Sequence, residues 1–507
     1  MLSVTYCAAL SGLEGYLVTV ECSSVNNLPK LEIVGLPDMA IREAKQRMTA
    51  AAENSGIPFP DREIVLNLAP ADRKKEGSAF DLAMLIAILQ SGGVLAHDLP
   101  LQDKCFIGEL SLSGHIRAVR GVLNMTLSAA EAGMKEIYVP AENVAEAAAV
   151  EGITVYGVSS IGALLDHLVG RAPLTAAPSI RSDLNALPEG LDFSDVKGQK
   201  RVKRALEIAA AGGHNILMIG APGSGKSMLA KRLPSILPPM SFAESVETTK
   251  IHSVAGILGE AGLVNIRPFR SPHHTMSAAA LVGGGKIPEP GEIALAHNGV
   301  LFLDELPEFA RPVTESLRQP LEDGCVTITR AAGRYTFPTR TMLVCAMNPC
   351  PCGYYGSDVR KCSCKADAIS RYLAKISGPL LDRIDMHVEV PSLTFDEMSN
   401  PEPSEPSALI RERVIRAREF AARRFTDGAF IPNGSLDAGA TREVCVPDEA
   451  GKMILKKAME KIGLSARGYD RILRVARTIA DLAGSEQITA AHVAEAVQLR
   501  ALDRKYW

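Results

Sequence analysis

The feature that most narrows the possible folds is one 23-residue run, NILMIGAPGSGKSMLAKRLPSIL (215–237). Its apolar residues 216–219 read as a buried parallel strand, and a helical pattern follows the loop GAPGSGKS (220–227). The loop has the form G-x-x-x-x-G-K-[ST]. Its glycines let consecutive backbone N–H groups turn inward around an anion, where a Cβ would crowd the turn. Gly220, Ala221, Pro222, Gly223, Ser224, Gly225, Lys226 and Ser227 are therefore the expected phosphate cradle. Lys226 supplies a point charge for the β- and γ-phosphates, and Ser227 a hydroxyl for Mg²⁺. A plain glycine turn is the bland alternative. Strand, loop and helix in this order favour a nucleotide.

Two further apolar runs fit the same sheet. GVLFLDELPEF (299–309) ends in Asp304, placed to hold Mg²⁺, and Glu305, placed to polarise an attacking water. Ligands of open α/β sheets sit beyond such strand tips. TMLVCAMNPCPCG (341–353) carries Asn348 just past its apolar section, suited to orienting that water, with a turn cap as the alternative.

The chain has 507 residues, a net charge of −3, 47% hydrophobic and 22% charged residues, which is the composition of an ordinary globular protein. No window approaches a membrane span, and the first residues lack the pattern of a secretory signal. A cytoplasmic protein is the expectation. Residues 1–168 alternate β-like runs (31–37, 62–70) with helical ones (39–56, 80–93), as in an α/β domain. Linkers are expected at 169–190 and 393–407, a P-loop core over 191–392, and a helical domain over 408–507, with 423–447 unassigned.

FRSPHHTMSAAALVGGGKIPEPGEIALAHNGVLFLDELPEF (269–309) and LSARGYDRILRVARTIADL (464–482), taken with the phosphate loop, resemble the magnesium-chelatase-like AAA+ ATPases of the YifB/ComM family. The resemblance extends over essentially the whole chain. It implies an α/β P-loop AAA+ core, a C-terminal helical lid, and a ring, typically a hexamer, whose active sites are completed between subunits. It places the arginine finger at Arg383 in GPLLDRIDMHVEV (378–390) and the sensor-2 arginine at Arg467. The residues alone say less. Arg383 has salt bridges to Asp382 or Asp385 as an alternative, and Arg467 opens a helix, a poor place for a cation unless an anion is near. His273 and His274 read as loop-structural or subunit-contacting residues, with metal ligation as the alternative.

The N-terminal VLNLAPADRKKEGSAFDLAMLIAIL (65–89) and the run 108–143 resemble the Lon-protease, ribosomal-S5-like fold. The nucleophile position falls on Ala79 and the base position on Leu123, so no Ser–Lys dyad and no peptide hydrolysis are expected.

CVTITR, AAG and RYTFPT within 321–340 read as a β-hairpin to which Arg330, Arg334 and Arg340 give a cationic edge, with Tyr335 and Phe337 interleaved. Such a hairpin suits a nucleic-acid backbone, or is simply solvated. The helix at 409–425, with six arginines and two glutamates, is read the same two ways. Cys350, Cys352, Cys362 and Cys364 lie within 15 residues, a set that suits structural Zn²⁺, with free thiols or a redox switch as alternatives. The expected activity is hydrolysis of ATP with Mg²⁺. The resemblance implies a helicase or translocase that acts on single-stranded or branched DNA, promoting branch migration in recombination of incoming DNA. A protein remodeller or chelatase-like chaperone is the alternative, and a nucleotide-gated scaffold without turnover is disfavoured by Glu305.

Overall fold

The computed structural model describes residues 1–179, 190–259, 262–285, 288–330, 333–356, 360–393, 397, 404–425, 430–462, 465–500, 502 and 506. Much of both expected linkers, and Ala331 and Ala332 of the hairpin turn, lie outside the described residues. The chain divides into two compact units. One comprises Met1–Asp183, Phe242–Asn265 and Thr329–Thr336, and the other Leu184–Ser241, Ile266–Ile328 and Phe337–Trp507.

The first unit is built on a seven-stranded mixed sheet. Its strand order is Lys30–Val34, Glu63–Ala69, Glu14–Val25, Leu2–Ser11, Lys104–Phe106, Glu136–Pro140, Thr154–Val158. The two longest strands, Leu2–Ser11 and Glu14–Val25, form an antiparallel hairpin in register Leu2↔Ser23. Sequence periodicity left this hairpin unassigned, because both strands mix small and polar residues into the alternation. The helix Asp81–Ser91 is buried along its whole length, as its nearly all-apolar sequence requires. The helix Met39–Asn54 is capped by Asp38, whose side chain accepts from the Ile41 N–H, and buries Ile41, Ala44, Met48, Ala51 and Ala52. Residues 141–147 form a 3₁₀ turn at Ala141–Asn143 followed by the short helix Val144–Ala147. The helix Phe242–Ala255, which lies in sequence between the phosphate loop and Asp304, belongs to this unit. Ser253 there donates to Glu146, and Leu123, Ala149, Val150 and Leu263 form a buried apolar cluster.

The second unit holds a five-stranded parallel sheet in the order Phe269–Arg270, Val300–Leu303, Met342–Met347, Ile216–Ile219, Met386–Glu389. Strands 216–219, 300–303 and 342–347 are buried throughout, as continuous apolar runs predict for a parallel sheet covered on both faces. The pairs Ile219↔Met347 and Leu303↔Cys345 bring the C-terminal ends of the three strands to one edge. Helices Ser407–Ala422, Ala438–Val444, Glu449–Ile462, Ala466–Leu482 and Ala490–Gln498 belong to the same unit, and Ile410, Val414, Leu455 and Ile472 share its core. The helix Ala438–Val444 falls in a stretch that periodicity left unassigned. No described helix is long and apolar enough to cross a membrane.

Candidate nucleotide site

Gly220 ends the strand Ile216–Ile219, and its N–H donates to Met347 O on the neighbouring strand. The loop then turns through Gly223 and Gly225, at φ +77° and +92°, a region costly for any residue with a Cβ. Gly225 is the N-cap of the helix Lys226–Arg232. Lys226 is 8% exposed and its Nζ donates to Gly220 O (2.7 Å), Ala221 O (2.9 Å) and Asn348 Oδ1 (3.2 Å). Burial lowers the Lys226 pKa, and the charges of Asp304 and Glu305 oppose that shift. The lysine is thus held inside the loop, in a place that favours an anionic partner.

Ser227 Oγ donates to Asp304 Oδ2 at 2.6 Å. Hydroxyl and carboxylate meet at the mouth of the loop, the donor set that suits a magnesium ion held beside phosphates. Asp304 Oδ1 accepts from the Glu305 N–H at 3.0 Å. Glu305 is exposed with φ +53°, a left-handed conformation rare for a residue with a side chain. His274 Nδ1 lies 4.0 Å from Glu305 Oε2, and the His273 ring packs against His274 at a 33° tilt with centroids 4.1 Å apart. Sequence reasoning missed His274 as a neighbour of this carboxylate; its only signal was a position just past the edge strand Phe269–Arg270.

A cavity of about 1250 Å³ borders the loop at Gly220 and Ala221, and Gln199, Pro349, Tyr355 and Arg413 also line it. Gln199 Nε2 donates to Pro391 O at 2.7 Å, while Gln199 Oε1 is buried with no hydrogen-bond partner among the described residues. This residue too was missed, since a lone glutamine before a helix carries no pattern.

The structure brings Lys226, Ser227, Asp304, Glu305 and Asn348 together and sets the two candidate arginines on other partners. Arg383 donates to Arg318 O (3.0 Å), to Pro379 O (2.7 Å) and to Glu322. The salt bridge that forms is therefore to Glu322, across the unit, rather than to either neighbouring aspartate. Arg467 is largely exposed at the start of the helix Ala466–Leu482, 4.0 Å from Asp382. One turn later the buried Arg471 lies 3.7 Å from Asp382 and 3.6 Å from Asp385. Asp385 is buried, with Arg474 at 4.0 Å and His214 at 3.5 Å.

The strands Cys325–Arg330 and Gly333–Pro338 form the expected hairpin. Its tip belongs to the first unit, where a Cβ on Gly12 would lie 2.8 Å from the Tyr335 ring. Arg330 and Arg334 are exposed there. The arginine-rich helix is only partly a cationic face. Arg413 pairs with Glu207 and Glu405, Arg418 donates to Ala210 O, and Arg424 pairs with Asp481. The sulfurs of Cys350, Cys352, Cys362 and Cys364 all lie within 4.8 Å of one another.

A phosphate loop at the tip of a parallel sheet, with an acidic strand end and a polar residue on the next strand, defines the site of a P-loop nucleotide-binding protein. Residues 192–398 match the family described as "Magnesium chelatase, subunit ChlI". Residues 20–143 match "Subunit ChlI of Mg-chelatase", and residues 404–500 match "Magnesium chelatase, subunit ChlI C-terminal". The "Competence protein ComM" of Haemophilus influenzae is 42% identical over 99% of this chain and 98% of its own length. The "Uncharacterized protein YifB" of Escherichia coli is 41% identical over 99% of this chain and 98% of its own. The chain belongs to the magnesium-chelatase-like ComM/YifB family. A shorter likeness, 26% identity over 38% of the chain, is to the Lon protease of Haemophilus influenzae.

Proposed function

We propose that this protein is a cytoplasmic AAA+ motor that hydrolyses ATP and moves along DNA, acting on single-stranded or branched substrates during recombination. The observation that carries the ATPase reading is the convergence of Lys226, Ser227, Asp304 and Asn348 at one sheet edge, with Glu305 beside them. Lys226 meets the β- and γ-phosphates, and Ser227 and Asp304 hold magnesium, which offsets charge on the transferring phosphoryl group. Glu305 polarises the attacking water, Asn348 orients it, and the nucleoside lies in the cavity beside Gly220 and Ala221. Arg383 reaches the site of the next subunit in a ring, proposed as a hexamer. Arg467 acts as the sensor-2 arginine of a C-terminal lid.

The competence protein among the relatives supports a DNA substrate, and the exposed Arg330 and Arg334 supply phosphate contacts that do not depend on sequence. The N-terminal unit is proposed as a Lon-like, S5-like platform without hydrolysis. Leu123, at the base position, is sealed in the apolar cluster with Leu263. Ser78 donates to Glu109 and the buried Lys75 to Pro70 O, so these two side chains serve separate partners. The test is the ATPase rate of the full chain with forked DNA, duplex, single strand or a denatured polypeptide. Stimulation by DNA is expected. Stimulation by the polypeptide alone would replace the motor on DNA with a protein remodeller.

A further inference from the structure

The four clustered cysteines sit in a loop that touches the nucleotide site at both of its ends. The strand Met342–Met347 ends at Asn348, whose Oδ1 accepts from Lys226, and Cys350 follows two residues later, fully buried. The Gly353 N–H donates to Cys350 O at 2.9 Å, closing a tight turn at φ +85°. A Cβ on Gly353 would fall 2.4 Å from Cδ of Pro222, in the phosphate loop itself. Pro349 and Tyr355, from the same segment, line the cavity beside Gly220 and Ala221. After Cys364 the chain enters the helix Ala366–Leu373, where the buried Tyr372 turns its hydroxyl to the Asn348 backbone.

The sulfur geometry suits a metal. Cys350 and Cys352 are 3.4 Å apart, Cys352 and Cys362 3.5 Å, and Cys350 and Cys362 3.7 Å. A disulfide needs about 2.05 Å. A tetrahedral zinc with Zn–S bonds of about 2.3 Å has sulfur–sulfur edges of about 3.8 Å. The Cys364 N–H also donates to Cys362 Sγ at 3.4 Å, orienting that ligand.

We propose that Cys350, Cys352, Cys362 and Cys364 bind one structural zinc ion, and that this knuckle clamps the Asn348 turn against Pro222 of the phosphate loop. Four thiolates leave no open position, so the ion does no chemistry on substrate. Its effect is to fix a loop that has no regular secondary structure between Cys350 and Cys364 among the described residues, and through it the two sides of the nucleotide site. The coupling rests on the nucleotide reading above, whereas the metal site does not.

The full chain is purified without chelator, and zinc content, cobalt substitution spectra and binding of a fluorescent ATP analogue are measured. About one zinc per chain is expected, with the intense visible bands of tetrahedral cobalt thiolate after exchange. Cys362→Ser should lower zinc below about 0.2 per chain and weaken nucleotide binding about tenfold or more. Gly353→Ala keeps all four sulfurs, so it should retain zinc yet weaken nucleotide binding by pushing on Pro222. Less than about 0.2 zinc per chain in the parent, with no cobalt thiolate bands, overturns the metal site. Parental nucleotide binding in Cys362→Ser despite its loss of zinc, together with parental binding in Gly353→Ala, overturns the clamp. Full zinc in a parent that binds no nucleotide leaves the site standing and overturns both the clamp and the ATPase proposal.

Discussion

Ser227 and Asp304, 77 positions apart in sequence, meet through a 2.6 Å hydrogen bond at the mouth of the phosphate loop. The bond joins the first turn of a helix to the tip of a buried strand, so the two ligands proposed for a magnesium ion are held by regular elements. The roles proposed for the neighbouring residues follow from this placement.

Lys226 and Glu305 are expected to fail in different ways. Lys226→Ala removes the buried charge that meets the phosphates, so ATP binding and turnover both fall. Glu305→Gln keeps the size of an exposed side chain outside the lysine's hydrogen bonds, so ATP stays bound while kcat drops about a hundredfold or more. Equilibrium binding and steady-state hydrolysis, measured on both variants, separate the two. Parental turnover in Glu305→Gln would remove it from the chemistry.

Arg383 is tied to Glu322 and to the carbonyls of Arg318 and Pro379 within its own chain. If it completes a neighbouring site, Arg383→Ala should spare nucleotide binding and abolish assembled turnover. Mixing it with Glu305→Gln subunits should restore some activity at interfaces that pair two intact halves. Mixed rings with no recovery at any ratio would show that Arg383 acts only within its subunit.

Asp385 should carry a pH-dependent part of the stability. Burial raises its pKa, but His214, 3.5 Å away, and the charges of Arg474 and Arg471 outweigh this and hold it at about 2. Because the folded value lies below the unfolded one of about 3.9, the contribution is complete above about pH 4 and lost as pH falls towards 2. It amounts to about 2–3 kcal/mol. Asp385→Asn, which removes the charge that faces the buried Arg471 and the half-buried Arg474, should cost about 3 kcal/mol at pH 7 in denaturant unfolding. The gap between parent and variant should narrow as the pH drops below about 4. A gap that stays constant over that range would point to packing rather than charge.

Arg330 and Arg334 should contribute to DNA affinity in proportion to phosphate contacts. Replacing either by alanine should weaken binding about equally across sequences and reduce the salt-dependence slope by roughly one unit. ATPase activity without DNA should persist, since neither residue belongs to the phosphate loop or the acidic strand. Unchanged affinity and slope in the double variant would move the DNA surface elsewhere.

By itself the sequence determined the local chemistry of the nucleotide site. A glycine-rich loop between an apolar strand and a helix, and carboxylates at the end of a second apolar run, are patterns spanning a few residues, set by backbone sterics and burial. The buried helix Asp81–Ser91 and the capped helix Met39–Asn54 were legible for the same reason. Tertiary structure decided what depends on residues far apart in the chain. It assigned the helix Phe242–Ala255 to the N-terminal unit, set His274 beside Glu305, gave Arg383 to Glu322, and spent half of the cations of the 409–425 helix on internal partners. It also paired Leu2–Ser11 with Glu14–Val25, a hairpin whose apolar faces are recognisable only once the rest of the sheet and the helix Asp81–Ser91 cover them. The physical reason is range: propensity and periodicity act over one or two turns of chain, whereas a salt bridge or a covered face is chosen by whichever partner packing brings within a few ångströms.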